Sequence, residues 1–234
     1  MLRLENARID NGGFFLDADL TVEPGQRVAV IGPSGAGKST LLGAIAGFYP
    51  LTRGRILWGD SDITYAAPGK RPVAMLFQDG NLFPHLTVAQ NAGLGIRSDL
   101  RLDAKQKARV DEALARVGLH DLGDRKPAEL SGGQQSRAAL ARALLRARPL
   151  MLFDEPFAAL GPALRAEMLD LVMEIAAETG ATVLIVSHDP ADALRLAGLC
   201  VVVAEGRVLA PQPVAALLAD PPAALRGYLV APKN

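Results

Sequence analysis

The sequence has a single cysteine, no excess of either charge and no long hydrophobic run. Cys200 is alone among 234 residues, so it cannot form an intrachain disulfide, and its apolar neighbours predict a buried strand position. Lysine plus arginine equals aspartate plus glutamate, at 25 each, which argues against nonspecific nucleic-acid binding as the main role. No stretch reaches the roughly 18 uncharged apolar residues of a membrane span, and the start lacks the apolar run of a signal peptide. We therefore expect a soluble chain, for which another chain must supply the spans if it works at a membrane.

A glycine-rich segment with a lysine is the strongest chemical signal in the chain. Residues 32–39 follow an apolar strand and precede an apolar helix, which is the context of a P-loop. Glycines at this spacing let backbone N–H groups surround a polyphosphate, Lys38 adds a positive charge, and the Ser39 hydroxyl can ligate Mg²⁺. The predicted ATP-binding residues are Gly32, Pro33, Ser34, Gly35, Ala36, Gly37, Lys38, Ser39 and Thr40.

Apolar runs predict a sheet of mixed character. The earlier strands alternate apolar and acidic residues, which is typical of a half-exposed antiparallel sheet, and the later ones are continuously apolar, as in a parallel sheet covered on both faces. We expect strands at residues 2–8, 15–22, 27–31, 54–58, 73–77, 150–154, 182–187 and 199–204. The fold class is therefore α/β, with an antiparallel part near the start.

Between residues 79 and 131 the pattern becomes helical. Thr87 can cap a helix over 88–94, and Asp103 with Gln106 resembles a capping box for a helix that runs to Val117. We interpret residues 79–131 as a helical subdomain inserted into the α/β core. After Val208 the chain is rich in alanine and proline, and short helices are expected there.

Three predicted strands end in polar residues. Asp154 and Glu155 follow an apolar strand, where Asp154 can hold Mg²⁺ and Glu155, predicted to point elsewhere by strand alternation, is a candidate base for the attacking water. Gln78 can ligate Mg²⁺ or orient water, and His188 can donate to a γ-phosphate oxygen. Taken singly, Gln78 and His188 are more often ordinary structural residues. Ligands of parallel sheets bind at the carboxyl ends of the strands, however, which favours the functional interpretation.

A second phosphate-binding segment follows later in the chain. Ser131, Gly132, Gly133 and Gln134 precede a predicted helix over 136–146, and small residues before a helix N-terminus form an anion site. Because one ATP per chain needs only the first segment, we expect a dimer in which each chain offers its second segment to the other's nucleotide. The three arginines of this helix, Arg137, Arg142 and Arg146, are by themselves more typical of a solvated face.

These five segments together resemble the nucleotide-binding subunit of an ABC transporter. The resemblance covers nearly the whole chain as one domain and implies a RecA-like P-loop NTPase core at 1–78 and 132–210, the helical subdomain at 79–131 and a short extension at 211–234. It implies a head-to-tail homodimer with two ATP between the subunits, a transmembrane permease as partner and transport-coupled ATPase activity. It also implies that Lys38 binds the β- and γ-phosphates, that Ser39, Gln78 and Asp154 serve Mg²⁺, and that Glu155, His188 and Gln78 act in catalysis, with Ser131 and Gly133 acting across the dimer.

Two positions depart from that family. Its segment after the catalytic acids normally ends in Leu-Asp, but Gly161 stands in place of the aspartate here, and it can still cap a helix opened by Pro162. The family also stacks an aromatic residue of the first hairpin on adenine. Asn11, Gly12 and Gly13 occupy the expected place, and either Phe14 or Phe15 could substitute.

Within the family, residues 71–91 and 45–48 are similar to the ATPases of bacterial thiamine importers. This resemblance implies uptake of thiamine or its phosphates with a periplasmic binding protein, at the cytoplasmic face of the bacterial inner membrane. The permease contact is expected around residues 82–86, with Phe83 and Leu86 as apolar contacts or as subdomain core. Importers of iron(III), sulfate or polyamines share much of the pattern. The alternative classes are a soluble ATPase that acts on nucleic acid or ribosomes and a protein that binds ATP without cleaving it.

Overall fold

The computed structural model describes residues 1–78, 80–158, 160–187, 190–222 and 225–226. His188, the predicted contact of the γ-phosphate, lies outside the described residues. The strands are β1 (Leu2–Asn11), β2 (Phe14–Val22), β3 (Arg27–Ile31), β4 (Leu51–Trp58), β5 (Ser61–Asp62), β6 (Val73–Leu76), β7 (Leu150–Asp154), β8 (Thr182–Val186), β9 (Leu199–Ala204), β10 (Arg207–Val208) and β11 (Gln212–Pro213). The α-helices are α1 (Lys38–Ala46), α2 (Val88–Gly93), α3 (Ala104–Arg116), α4 (Gly132–Arg146), α5 (Pro162–Thr179), α6 (Pro190–Leu196) and α7 (Val214–Ala219). Short 3₁₀ helices lie at Pro68–Lys70, His120–Leu122 and Pro127–Glu129.

The described strands form one mixed sheet. Its strand order is β5-β4-β1-β2-β10-β9-β3-β8-β7-β6, with β11 paired to β9. β1 is antiparallel to β2 and β4, whereas β3 runs parallel to β8 and β9, and β7 runs parallel to β6 and β8. The predicted α/β fold with an antiparallel part near the start and a parallel core is therefore confirmed.

The parallel strands are buried on both faces, as their continuous apolar composition predicts. In β3, Val28 and Val30 pack with α1 in one hydrophobic cluster. The alternate residues Ala29 and Ile31 pack in a second cluster, together with α5 and the helices inserted after β6. The helical part of the molecule therefore shares its core with one face of the sheet.

All eight predicted strands are present, with ends that differ by at most three residues. Thr87 caps α2 as predicted, through a capping box with Gln90 that was not predicted, and Asp103 caps α3 through the predicted capping box. The bounds 79–131 of the helical subdomain stay a prediction. Within the described part of the chain, no helix has the length and apolar character needed to cross a membrane.

One prediction about a helix start was wrong. α4 begins at Gly132, not at residue 136, and Ser131 is its N-cap. The Ser131 hydroxyl accepts from the Gln134 N–H, and the Gln134 side chain accepts from the Ser131 N–H. This capping box allows the helix to start on two glycines, whose low helix propensity suggested a later start.

Arg71 holds the end of α1 against the segment before β6. Its side chain is buried and donates to the carbonyls of Ala44 and Ile45 in α1 and of Thr64 and Ala66. Burial lowers the pKa of this guanidinium, although an arginine remains charged in proteins. A positive charge also suits the negative end of a helix dipole. Arg71 therefore anchors the far end of the helix that begins at the P-loop.

Replacing Arg71 is expected to destabilise the fold. Arg71→Met leaves buried carbonyls without a donor and should lower the free energy of unfolding by about 3 kcal/mol, measured as a lower urea midpoint. Arg97→Met is the matched control, because Arg97 is exposed and pairs only locally with Asp99, so it should leave the midpoint nearly unchanged. Equal midpoints for both variants would contradict the anchoring role.

Candidate functional site

The segments that follow four neighbouring strands lie along one edge of the sheet. β3, β8, β7 and β6 are adjacent and parallel, so their carboxyl ends meet at the same edge, where open α/β sheets bind ligands. The residues that follow are 32–37 after β3, Ser187 after β8, Glu155 after β7 and Gln78 shortly after β6.

Residues 32–37 connect β3 to α1 in a tight loop. A Cβ at Gly32 would lie 2.0 Å from the Val203 carbonyl oxygen of β9, so only glycine fits there. Gly37 precedes the helix with φ of 102°, a region that favours glycine. Since Gly37 has no side chain to cap α1, the first N–H groups of the helix are oriented for an anion.

Lys38 is the first residue of α1 and is nearly buried, at 5% exposure. Its ammonium donates to the carbonyls of Gly32 and Pro33, each at 2.8 Å. Burial lowers the pKa of Lys38, and the nearby charges of Glu155 and Asp154 act in the opposite direction. The loop thus holds the ammonium beside its own backbone, near Asp154 at the end of β7 and Glu155 directly after it.

Asp154 is the last residue of β7, and the chain turns at Glu155 directly after it. The Ser39 hydroxyl donates to Asp154 Oδ1 at 3.0 Å, which links α1 to the end of β7. Glu155 has φ of 47°, in the left-handed region, which costs a non-glycine residue roughly 1 kcal/mol. The sequence predicted that strand alternation would aim Glu155 elsewhere, but β7 ends at Asp154, so this strained turn sets its direction instead.

Gln78 also lies beyond its strand. β6 ends at Leu76, not at Phe77 as predicted, and the Gly80 N–H donates to the Phe77 carbonyl at 3.0 Å. This hydrogen bond closes a turn, and Gln78 follows its first residue. The last residue of β6 that pairs with β7 is Leu76. The chain turns after it, so the strand is one residue shorter than predicted.

A single cavity of about 520 Å³ brings most of these residues together. It is lined by the P-loop, by the residues predicted to act in catalysis that the structure describes, and by one aromatic ring. The lining residues are Phe14, Ser34, Gly35, Gly37, Lys38, Ser39, Thr40, Gln78 and Glu155. Gly32, Pro33 and Ala36 belong to the same loop without lining the cavity, and Asp154 reaches its edge through Ser39.

Phe14 is the aromatic residue at this cavity. A Cβ on Gly37 would lie 2.6 Å from the Phe14 ring, so the ring packs directly on the start of α1. Phe15 points away, is 46% exposed and lies under the Arg8 guanidinium, 4.8 Å from ring centroid to charge. Of the two candidates for adenine stacking, only Phe14 lines the cavity.

A network that the sequence did not predict fixes the end of β8. The Arg165 guanidinium of α5 donates to the Ser187 hydroxyl at 3.0 Å and pairs with Asp192 of α6. Ser187 in turn donates to Asp192 at 2.6 Å. The partners are 22 and 27 residues from Arg165, so no local pattern could have revealed the network.

The second predicted phosphate segment does not line this cavity. Ser131, Gly132, Gly133 and Gln134 form the N-terminus of α4, and none of them is among the cavity residues. Within one chain, the two phosphate-binding segments are therefore separate.

A second cavity of about 320 Å³, called the groove below, lies between β6, α4 and residues 81, 83, 94 and 95. Phe83, which is 46% exposed, lines it together with Asn81 and Arg142. The buried Asn91 side chain accepts from the Phe83 N–H and donates to the carbonyls of Phe83, Leu86 and Thr87. Of the two predicted permease contacts, Phe83 borders this groove and the partly buried Leu86 does not.

Comparison with known proteins decides the family. The sequence model of the family described as ABC transporter matches residues 15–158. The chain belongs to the ABC transporter family. This chain is 65% identical over 229 residues to the thiamine import ATP-binding protein ThiQ of Cereibacter sphaeroides, with 98% of this chain and 99% of the relative covered. It is 63% identical over 229 residues to the protein of the same name from a Ruegeria species, with the same coverage.

A solved ABC cassette has the same fold. The dimeric ATP-binding cassette MJ0796, in a post-hydrolysis state bound to ADP and phosphate, superposes with a TM-score of 0.81 at 29% identity. The match covers 92% of this chain and 99% of that one. The predicted resemblance to an ABC ATP-binding subunit is therefore confirmed, whereas the roles of individual site residues stay predictions.

Phe14 gives a direct test of the cavity. Loss of a base-stacking ring typically costs 1–3 kcal/mol, so Phe14→Ala should weaken ATP binding roughly tenfold, measured by calorimetry. Binding of inorganic tripolyphosphate, which has no base, should be unchanged. Phe15→Ala is the matched control and should leave both affinities unchanged. Equal losses of ATP affinity in the two variants would show that Phe14 does not contact the base.

Proposed function

We propose that this chain is the ATP-hydrolysing subunit of an ABC importer for thiamine or its phosphates. The observation that carries the proposal is the single cavity in which Lys38, Ser39, Gln78 and Glu155 meet, in a chain whose relatives at 65% and 63% identity are thiamine import ATP-binding proteins. The cavity supports the chemistry, and the relatives support the transported substrate.

The P-loop residues bind the triphosphate of ATP. The uncapped N-terminus of α1 offers backbone N–H groups and the positive end of a helix dipole. The Lys38 ammonium, held by neutral carbonyls at 2.8 Å, exchanges these for the more favourable charge-assisted bonds to β- and γ-phosphate oxygens. Phe14 provides the apolar surface for the base.

The donor set at the cavity fits Mg²⁺. The Ser39 hydroxyl, the Asp154 carboxylate and the Gln78 amide oxygen are hard oxygen ligands, and Mg²⁺ is usually held by one or two protein carboxylates together with phosphates and water. Among the residues that the structure describes, no group of three His, Cys, Asp or Glu side chains could hold a metal ion. When bound, Mg²⁺ would neutralise developing charge on the phosphates.

Glu155 accepts the proton of the attacking water. Glu155 lines the cavity with Lys38 and Gln78, and it is held there with a positive φ of 47°. Gln78, a neutral amide, orients the water by hydrogen bonding. Attack on the γ-phosphate then releases ADP and phosphate.

The functional unit is a homodimer. Each chain separates its P-loop cavity from the N-terminus of α4, and the dimeric MJ0796 cassette supports assembly of this fold in pairs. Ser131 uses its hydroxyl oxygen to cap α4, and its O–H proton is the group that donates to the γ-phosphate on the partner. Two nucleotides are then bound at the interface between the two chains.

A membrane permease docks in the groove beside Phe83. The groove is open and lined by the exposed ring of Phe83 and by apolar residues of β6, and Asn91 fixes the loop that presents Phe83. A periplasmic binding protein delivers the substrate to the permease on the other side of the membrane. This chain itself never contacts the transported solute, and no nucleic acid takes part.

Removing the base tests the hydrolytic role. Glu155→Gln should lower kcat for ATP by about 10²- to 10⁴-fold, the usual contribution of a general base, and should retain ATP binding. Phosphate release measures the first effect and calorimetry the second, and size-exclusion chromatography with MgATP should show a trapped dimer. Glu205→Gln is the control, because Glu205 also has a positive φ but is outside the cavity. Unchanged hydrolysis in Glu155→Gln would remove Glu155 from this role.

Uptake assays test the substrate. The chain is co-expressed with the permease and binding protein of a thiamine importer, in cells that cannot import thiamine, and uptake of labelled thiamine is measured. We expect uptake that disappears with Glu155→Gln and that excess unlabelled thiamine pyrophosphate reduces, whereas sulfate, spermidine and iron(III) do not. Uptake of one of these three without thiamine uptake would replace the substrate but keep the ATPase.

A further inference from the structure

Arg142 of α4 holds the turn that carries Gln78. Its guanidinium donates from Nη2 to the Gly80 carbonyl and from Nη1 to the Asn81 carbonyl, both at 2.7 Å. Gly80 also closes the turn through its N–H bond to the Phe77 carbonyl. The two arms of one rigid fork thus bind consecutive carbonyls just after Gln78.

The geometry of this contact ties the position of the Arg142 guanidinium to the positions of both carbonyls. An arginine fork fixes direction as well as distance, because both hydrogen bonds must align at once. The bonds are short and charge-assisted, the side chain is partly buried, and burial lowers the pKa of Arg142. Its described hydrogen-bond partners are these two neutral carbonyls.

The same side chain borders the groove and, through the carbonyls of Gly80 and Asn81, contacts the segment that follows Gln78. Arg142, Asn81 and Phe83 line the groove, and Gln78 lines the nucleotide cavity. Ser131, the N-cap of α4, is about 16 Å away along the helix at 1.5 Å per residue. A tilt of α4 or pressure on the groove must therefore displace the turn that contains Gln78.

We infer that Arg142 is a positioning residue that couples the groove and α4 to Gln78. The inference rests on the proposed function, since it assigns Gln78 a part in the magnesium and water site. Arg142 touches neither nucleotide nor metal, and it acts by fixing where the Gln78 amide lies relative to the P-loop.

Another arginine of the same helix provides the contrast. Arg137 donates to the Val117 carbonyl at 3.1 Å and pairs with Glu167 of α5, so it also binds a backbone carbonyl and is partly buried. Its contacts lead to the end of α3 and to α5, away from Gln78. Replacing Arg137 therefore reports the structural effect of losing an arginine from α4.

The experiment is a double-mutant cycle on the full-length chain with Gln78→Ala, Arg142→Gln and both together. The main readout is the tightening of ATP binding by Mg²⁺, measured by calorimetry with and without the metal, and kcat for ATP is the second. Each single variant should reduce the Mg²⁺ effect about tenfold, the usual scale for groups that orient metal ligands. The double variant should lose about tenfold rather than a hundredfold, because two residues that act through one contact are not additive.

Three controls separate positioning from folding. Arg137→Gln should leave the Mg²⁺ effect unchanged. Arg142→Lys, which keeps the charge but not the fork, should recover part of the loss, and ATP binding without Mg²⁺ should be the same in every variant. A hundredfold loss in the double variant, or no loss in Arg142→Gln, would overturn the coupling.

Failure of the proposed function has a different signature. If Gln78→Ala leaves the Mg²⁺ effect intact, the assignment of Gln78 is wrong and the coupling falls with it. If the chain binds MgATP with the expected cycle but does not hydrolyse it, the coupling stands and the ATPase proposal fails.

Discussion

The parallel pairing of β3, β8, β7 and β6 is the constraint on which the candidate site depends. It brings the ends of four strands to one edge, so residues more than a hundred positions apart, such as Ser39 and Asp154, can form a hydrogen bond of 3.0 Å. The strand ends supply different groups: residues 32–37 follow β3, the Ser187 hydroxyl follows β8, the two acids lie at the end of β7, and the Gln78 amide follows β6. Because both faces of these strands are buried, the edge is rigid and the polar groups are fixed in relation to one another.

The site needs movement as well as rigidity. The core strands hold Lys38 and Glu155 firmly, but Gln78 lies on a turn whose carbonyls are bound by α4. This turn links that edge to the inserted helices, which belong to the same hydrophobic cluster as one face of the sheet. An ATPase that drives a permease must couple nucleotide state to a distant surface, and coupling requires a contiguous element that both sites can bias. The Arg142 contact is such an element.

The features that the sequence predicted correctly are those set by interactions between residues close together in the chain. The capping boxes of Thr87 and Asp103 involve residues three apart, and the P-loop is a contiguous segment, so both could be predicted from the sequence. The environment of the α4 arginines could not: the sequence favoured a solvated face, but Arg142 binds carbonyls 61 and 62 residues away. Phe14 and Phe15 are neighbours that point to opposite faces of β2. Alternation separates them, but only the tertiary packing of Gly37 shows which face meets the P-loop.

Gly161 shows which part of the family pattern the fold can lose. Its backbone is extended, with φ of −63° and ψ of 156°, a conformation open to any residue, so glycine is not required for shape. Compared with aspartate, glycine at an N-cap costs only a few tenths of a kcal/mol or so, and Pro162 offsets this by pre-setting the first helical turn. Gly133 at the start of α4 still packs against Leu160 and Leu164 on either side of Gly161. The substitution therefore removes a negative charge from the surface near the second phosphate segment, while the apolar contact that joins α5 to α4 is kept.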